Sequence, residues 1–549
     1  MIDDAEVNRS GRHRLIRPIT ITVTSVMVVF TLAGPGSGIP SAPASAAPDP
    51  DAAGWTVYHH DPAGRGVAVG VTAVDTRARA WTSPALDGSL YGEPLVTGGT
   101  AYVATEDNVV YALSAATGAI VWSRHLGPAV PAADLPCGNI APTVGITGTP
   151  VLDPVRSELF VVADELVGGK PSHRLVGLNL ATGVTEMTQA VDPAGATPAA
   201  LLQRTGLALD AGRVVLGFGG NYGDCAPYRG WVVSVDEGGG TPVDFAVDAA
   251  SNESQGAIWM GGAAPAVDAA GNIWVSAGNG SVTSDAHPYD HSDSVLELSP
   301  SLRLEQFFAP SNWASNNAAD LDLSMAPALL ANGQVVIAGK ARLAYLLSGA
   351  HLGGIGGQLA TVGPMCGDDV DGGSATIGTT VYLPCLSGVV AIGTRTAPAS
   401  LRVLWSSNAG GGPPIVAGGL VWTIGQDGVL SGLDPETGAV RREASVGKPA
   451  NHFPTPSVGD GVLLAASADR VVAFSATAVT STPSTATTTA SSTTTSAGRT
   501  DPSVVSSGGG AGPGPAVAAV AGGLVVLGAA AWWWRRRGRG QSRSADRGT

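Results

Sequence analysis

Residues 92–122 read GEPLVTGGTAYVATEDNVVYALSAATGAIVW, and the punctuation of that stretch decides the fold. Apolar runs at 93–97, 101–105, 109–113 and 119–122 are separated by Gly98-Gly99, Glu106-Asp107-Asn108 and Ala116-Thr117-Gly118. Short runs of β-formers bounded by such turn residues predict an up-and-down meander of four strands. A lone meander exposes both faces and is marginal in water, so it needs neighbours.

The rest of the chain supplies them. The first strand of the pattern tends to open on a small residue, Pro and an apolar residue, at Pro94, Pro150, Pro265, Pro327, Pro414 and Pro456. Two further copies open without Pro, at Gly206-Leu207 and Ser374-Ala375, and x-Thr-Gly turns recur at Gly118, Gly183 and Gly438. Eight copies spaced by roughly 40–60 residues are the signature of a propeller or another repeat architecture. The eighth copy ends on its third strand at Phe474, while an unassigned strand, 79–81, precedes the first. Lending that strand to the last copy would remove the open edges. The expectation is an all-β, eight-bladed propeller of four-stranded antiparallel blades, closed by an N-terminal strand.

At this point the residues resemble a known family. Residues 108–122, NVVYALSAATGAIVW, look like the repeat of quinoprotein-type (PQQ-like) propellers, and 433–438, LDPETG, resemble it again. The opening GWTVYHHDP at 54–62 is similar to the usual start of these domains. The likeness runs over 54–475, strongly in copies one and seven. It implies the propeller fold but not one activity, because this architecture hosts both dehydrogenases and scaffolds.

The ends of the chain differ from its middle. Arg9, Arg12, Arg14 and Arg17 precede an apolar stretch at 19–32 and an Ala44-Ser45-Ala46 site, the pattern of an export signal over residues 1–46. Residues 476–514 are Ser/Thr/Pro/Gly-rich and cannot bury enough surface to order themselves, so they read as a stalk after the propeller at 47–475. Residues 515–534 carry no charge and end in Trp532–Trp534 before Arg535-Arg536-Arg537. About 20 such residues span a bilayer, and the basic tail at 535–549 is placed in the cytoplasm by the positive-inside rule. The expected location is the cell membrane, single-pass, with the propeller outside. Setting aside 1–46 and 535–549 leaves 20 Lys and Arg against 40 Asp and Glu, which argues against nucleic acid as a partner.

In a four-stranded blade the 1–2 and 3–4 turns share one face, and the 2–3 and 4–1 connections share the other. Nearly all of the long insertions, 124–147, 188–201, 219–230, 249–260, 279–294, 309–324 and 360–372, fall on the second face, in or leading into blades two to six. Long loops of this kind are commonly functional. Tyr228, Trp259, Tyr289 and Trp313 sit in them and are candidates for stacking on a sugar or a partner side chain. All four cysteines fall on this face as well. In an exported protein an even count implies two disulfides with three possible connectivities. Cys366 and Cys385 flank one hairpin, which favours Cys366–Cys385 with Cys137–Cys225.

The resemblance implies, for a dehydrogenase, adjacent cysteines over the quinone and a Ca²⁺ site of carboxylates with an amide; the sequence has no Cys-Cys pair. Lys340, at the end of a second strand, could face a central funnel and pair with an anionic cofactor such as PQQ, or bond Asp320 or Asp322 instead. Asp285, Asp290, His291 and Asp293, or Asp368, Asp369 and Asp371, could begin to supply a Ca²⁺ site, although Asp is common in turns for its own local hydrogen bonds. No catalytic residue stands out. The reading is a membrane-anchored surface module that binds a protein, peptide or cell-wall glycan on its long-loop face. A quinone- or metal-dependent oxidoreductase is the alternative.

Overall fold

The computed structural model describes residues 54–247 and 253–478. The export signal, nearly all of the stalk, the 515–534 span and the basic tail lie outside the described residues. No helix among the described residues is long and apolar enough to cross a membrane.

Eight sheets follow one another along the chain, each an antiparallel meander of four main strands. Blade one is Leu95–Thr97, Thr100–Ala104, Val109–Ser114 and Ile120–His125. Burial grades outward along each blade. In blade one the first three strands are almost wholly buried, whereas Ile120–His125 is mostly exposed. The first strands therefore line the axis and the fourth strands form the rim.

The ring closes through its N-terminus. Blade eight contributes Ser457–Gly459, Val462–Ser467 and Arg470–Ala478, and Trp81-Thr82 pairs with the last of these, Trp81 opposite Ala473. Val71–Asp75 pairs with the outer half of the same strand. One apolar cluster accordingly contains Val74, Trp81, Leu113, Leu430 and Phe474, joining the two ends of the ring. The final strand runs on to Ala478, past the boundary read at residue 475.

Neighbouring blades are stapled by a repeated contact that explains the x-Thr-Gly turns. Trp122, from the fourth strand of blade one, donates its indole N–H to Leu180 O of blade two at 2.9 Å. Trp405 of blade six does the same to Pro435 O of blade seven at 3.0 Å. In each case the indole lies on the turn glycine, Gly183 or Gly438, where a Cβ would collide with the ring.

Two departures from the regular pattern shape the surface. In blade two the second and third strands, Glu158–Val167 and Lys170–Asn179, continue as a ladder to a Gly168-Gly169 tip. The 3–4 connection of blade five lends Gly354-Ile355 to blade four as a fifth, parallel strand, so one long excursion falls on the otherwise short-turn face.

Candidate functional site

The axis of the ring is filled by the protein's own start. Residues 55–66 cross it and hydrogen-bond the innermost strands in turn: Trp55 with Val96 of blade one, Thr56 O with Leu152 N of blade two, Pro62 O with Val267 N of blade four, Arg65 O with Thr376 N of blade six, and Gly66 O with Val416 N of blade seven. Side chains lock this hub. Glu93, fully buried, accepts from Trp55 Nε1 at 3.1 Å and from the His59 amide at 2.9 Å. Burial raises its pKa well above the usual carboxylate range, against the pull of those two donors. Burial also lowers His59 to about 4, so its ring is neutral, with Nδ1 3.2 Å from Ser374 O and Nε2 3.3 Å from Thr455 Oγ1 of blade eight.

Nearer the long-loop face the axis is bridged a second time. Arg204, leading into blade three, donates from Nη2 to Asn451 Oδ1 at 2.8 Å, leading into blade eight. Asn451 in turn donates to Tyr91 O at 2.7 Å. The guanidinium lies 5.9 Å from the centre of the Phe453 ring. The chain segments entering blades four, six and seven also meet, since a Cβ on Gly261 would stand 2.4 Å from Gly372 N, and one on Gly372 2.5 Å from Pro413 Cγ. A cavity beside the hub, lined by Tyr58, Ala264, Pro327 and Ser374, holds about 10 Å³, room for a single water at most.

That geometry does not fit a quinone. A planar tricarboxylate needs several hundred Å³ and positive charge to meet its carboxylates, whereas Arg204 at the axis already interacts with the buried carboxyl of Glu106. Lys340 is committed elsewhere, at 2.5 Å from Asp322 Oδ2 and 3.2 Å from Asp320. The disulfides are Cys137–Cys225 and Cys366–Cys385, the pairing expected from the sequence, and neither joins adjacent cysteines.

The two acidic groups are dispersed rather than convergent. Asp293 is buried and accepts from Asn316 Nδ2 at 2.7 Å and Leu323 N at 3.1 Å. Burial pushes its pKa up to about 8. Asp290 Oδ1 caps Ser292, His291 packs on Tyr289 and Phe307, and Asp285 is exposed. Asp371 is buried and pushed up to about 7 by that burial, while Asp368 and Asp369 stand half-exposed in the loop before it. Among the described residues, no three His, Cys, Asp or Glu are placed to share a metal ion.

The aromatic residues of the long loops mostly hold the loops together. Tyr228 and Trp313 are buried. Tyr289 is packed by Trp313 at 4.9 Å and Phe307 at 5.3 Å, and its hydroxyl donates to Ser292 O. Trp259 is half-buried among Tyr228, Leu202 and Val144. They form no open stacking platform; burying each ring stabilises the loops more than exposing it would.

Sequence reasoning missed the axial role of residues 55–66, the Glu93 anchor and the Arg204–Asn451 strut. A weak signal existed in His59-His60, which adopt left-handed φ of 56° and 77° where the chain turns inside the ring.

Residues 64–196, which span the closing strands and blades one and two, match the family model described as outer membrane protein assembly factor BamB. The chain is an eight-bladed β-propeller, and over these residues it resembles the PQQ-like family. Its structure is similar to the quinohemoprotein alcohol dehydrogenase of Pseudomonas putida HK5, at 15% identity and a TM-score of 0.57, covering 78% of this chain and 80% of that one. The quinohemoprotein alcohol dehydrogenase of Comamonas testosteroni is similar at 15% identity and 0.56, over 77% and 81%. BamB of Moraxella catarrhalis is similar at 15% identity and 0.50, covering 73% of this chain and all of that one. At such identities the likeness is one of fold. No curated protein matches the sequence.

Proposed function

We infer that this PQQ-like propeller is a binding scaffold, exported and held at the outer cell surface by residues 515–534. It would engage a protein, peptide or cell-wall glycan on its long-loop face. The observation that carries this reading is the closed axis: residues 55–66 and the Arg204–Asn451 strut occupy the place where a propeller enzyme would keep a cofactor and substrate. The other face, by contrast, is built up from long loops fixed by two disulfides. The likeness to BamB, an assembly factor by its description, is consistent with a scaffold. The alternative, a quinone- or metal-dependent oxidoreductase, has the fold likeness to the alcohol dehydrogenases behind it.

The test compares both readings on one preparation. The purified chain is titrated with pyrroloquinoline quinone and Ca²⁺ while absorbance and dye-linked alcohol oxidation are followed. In parallel, partners are captured from cell-surface extracts by the wild type and by a chain lacking residues 279–294. A scaffold shows no saturable quinone binding, and its specific partner is lost with the loop. Quinone binding with turnover would replace the scaffold by the oxidoreductase.

A further inference from the structure

The long-loop face also carries an open cleft where the insertions are shortest, between blades six and seven. It encloses about 580 Å³ and is lined by Asp368, Leu386, Ser387, Asn408, Gln426, Asp427, Ser431 and Glu443, among others. That volume lies in the range of small-ligand and side-chain pockets.

Its walls are fixed. On the blade-six side Asp368 sits in a loop tied by the Cys366–Cys385 disulfide, the Val370–Cys385 bridge and the Leu386 N–H to Asp369 O bond of 3.0 Å. On the blade-seven side Ser431 and Glu443 are directly opposed across neighbouring strands, so both side chains leave the same face of the sheet. Asp427 is set by its own turn, with Oδ1 accepting from Val429 N at 3.1 Å.

The polar groups of this cleft are left with spare capacity. None of Asp368, Asp427 and Glu443 takes part in an ion pair among the described residues. Asp368 Oδ1 is buried without a hydrogen-bond donor. Ser431 is 1% exposed, yet nothing in the described residues bonds its hydroxyl. Three carboxylates and an unused hydroxyl around one rigid concavity create a negative potential with the geometry of a cation acceptor, because carboxylates bind guanidinium and ammonium groups through short, charge-assisted bonds.

We propose that the cleft between blades six and seven receives an arginine or lysine side chain of the partner protein, held by Asp427, Glu443 and Asp368 with Ser431 at its base. This deepens, and rests on, the reading of the propeller as a binding module. It gives that module a charge rule: a basic residue on the partner, docked beside the loop-rich half of the face.

The test uses a labelled peptide of four glycines around one arginine, its lysine counterpart and a glutamate control, each titrated against the purified full chain by fluorescence anisotropy. The basic peptides are expected to bind saturably, weaken as salt rises, and lose at least tenfold in affinity in an Asp427→Asn/Glu443→Gln chain. Those two side chains are exposed, so the melting temperature of that variant should match wild type. Ser431→Ala is expected to weaken binding by a smaller factor. Equal binding of the glutamate peptide, or unchanged affinity in the double variant, overturns the proposal. If the basic peptides fail while partner capture still depends on residues 279–294, the cleft is excluded and the scaffold stands. If neither binds, both fall.

Discussion

Trp81 lies flat on Gly118 across the seam where the ring closes. Its indole N–H donates to Ala115 O at 2.8 Å, and a Cβ on Gly118 would stand 2.4 Å from the ring. The strand that shuts the ring thus uses the same tryptophan-on-glycine contact that joins blade one to blade two and blade six to blade seven.

Gly118→Ala should destabilise the propeller by about 2–4 kcal/mol, combining overpacking against the indole with a left-handed φ of 71°. Gly98→Ala is the control, because Gly98 has φ of 60° but nothing within 4 Å of its Cβ direction. It should cost only about 1–2 kcal/mol from the backbone term. Denaturant unfolding of both variants checks the difference, and equal costs would remove the contact from the account of closure.

Glu93→Leu should open the hub. It strands the Trp55 Nε1 and His59 amide donors in a dry interior, at about 1–3 kcal/mol for each buried group left unpaired. Trp55 fluorescence should shift to the red as water reaches the axis. An unchanged spectrum and melting temperature would mean that the backbone bonds alone hold residues 55–66.

Stability should fall as pH rises from about 4 to 8. Asp293 at about 8 and Asp371 at about 7 are raised by burial above their usual 3.8, so the folded state binds their protons more tightly. The stability they contribute is complete below 3.8 and is lost as pH climbs through the folded values. His173 acts in the same direction above 6.5: burial lowers it, but Asp164 and Asp192 together leave it raised. Asp293→Asn should flatten the melting-temperature slope between pH 5 and 8, and a slope unchanged in that variant would exclude Asp293 as a contributor.

The disulfides should differ in worth. In the chain-entropy picture, Cys137–Cys225, whose ends are 88 positions apart, stabilises by about 4.6 kcal/mol, and Cys366–Cys385, 19 positions apart, by about 3 kcal/mol. Serine pairs at each, compared by thermal unfolding, test the order. A larger loss at Cys366–Cys385 would show that native packing, not loop entropy, sets the effect.

The ring was legible in the sequence because its signals are local. Pro94 and its counterparts, the Thr-Gly turns and the tryptophans repeat at fixed places, so eight blades and the closing strand at Trp81 could be read by register, while the cysteine pairing was only favoured, from the hairpin that Cys366 and Cys385 flank. The axis was not legible. Its bonds join residues such as Thr56 and Leu152, or His59 and Thr455, that share no local pattern and meet only once the ring is shut. The acidic groups around Asp290 and Asp368 are close in sequence, but among the described residues the fold does not gather three such side chains around one point. The cleft at Asp427 and Glu443 escaped notice because its residues are ordinary turn and rim residues of two different blades.

The hub has a consequence for how the chain is made. Residues 55–66 emerge before any blade exists, yet their partners lie as far along as Val416 and Thr455. Contacts of such sequence separation form slowly, and an N-terminal segment waiting for them exposes apolar surface meanwhile. A chain of this design must keep that segment from other partners until its last blade is complete. Its first described residues thus complete their bonds only once the seventh and eighth blades are in place.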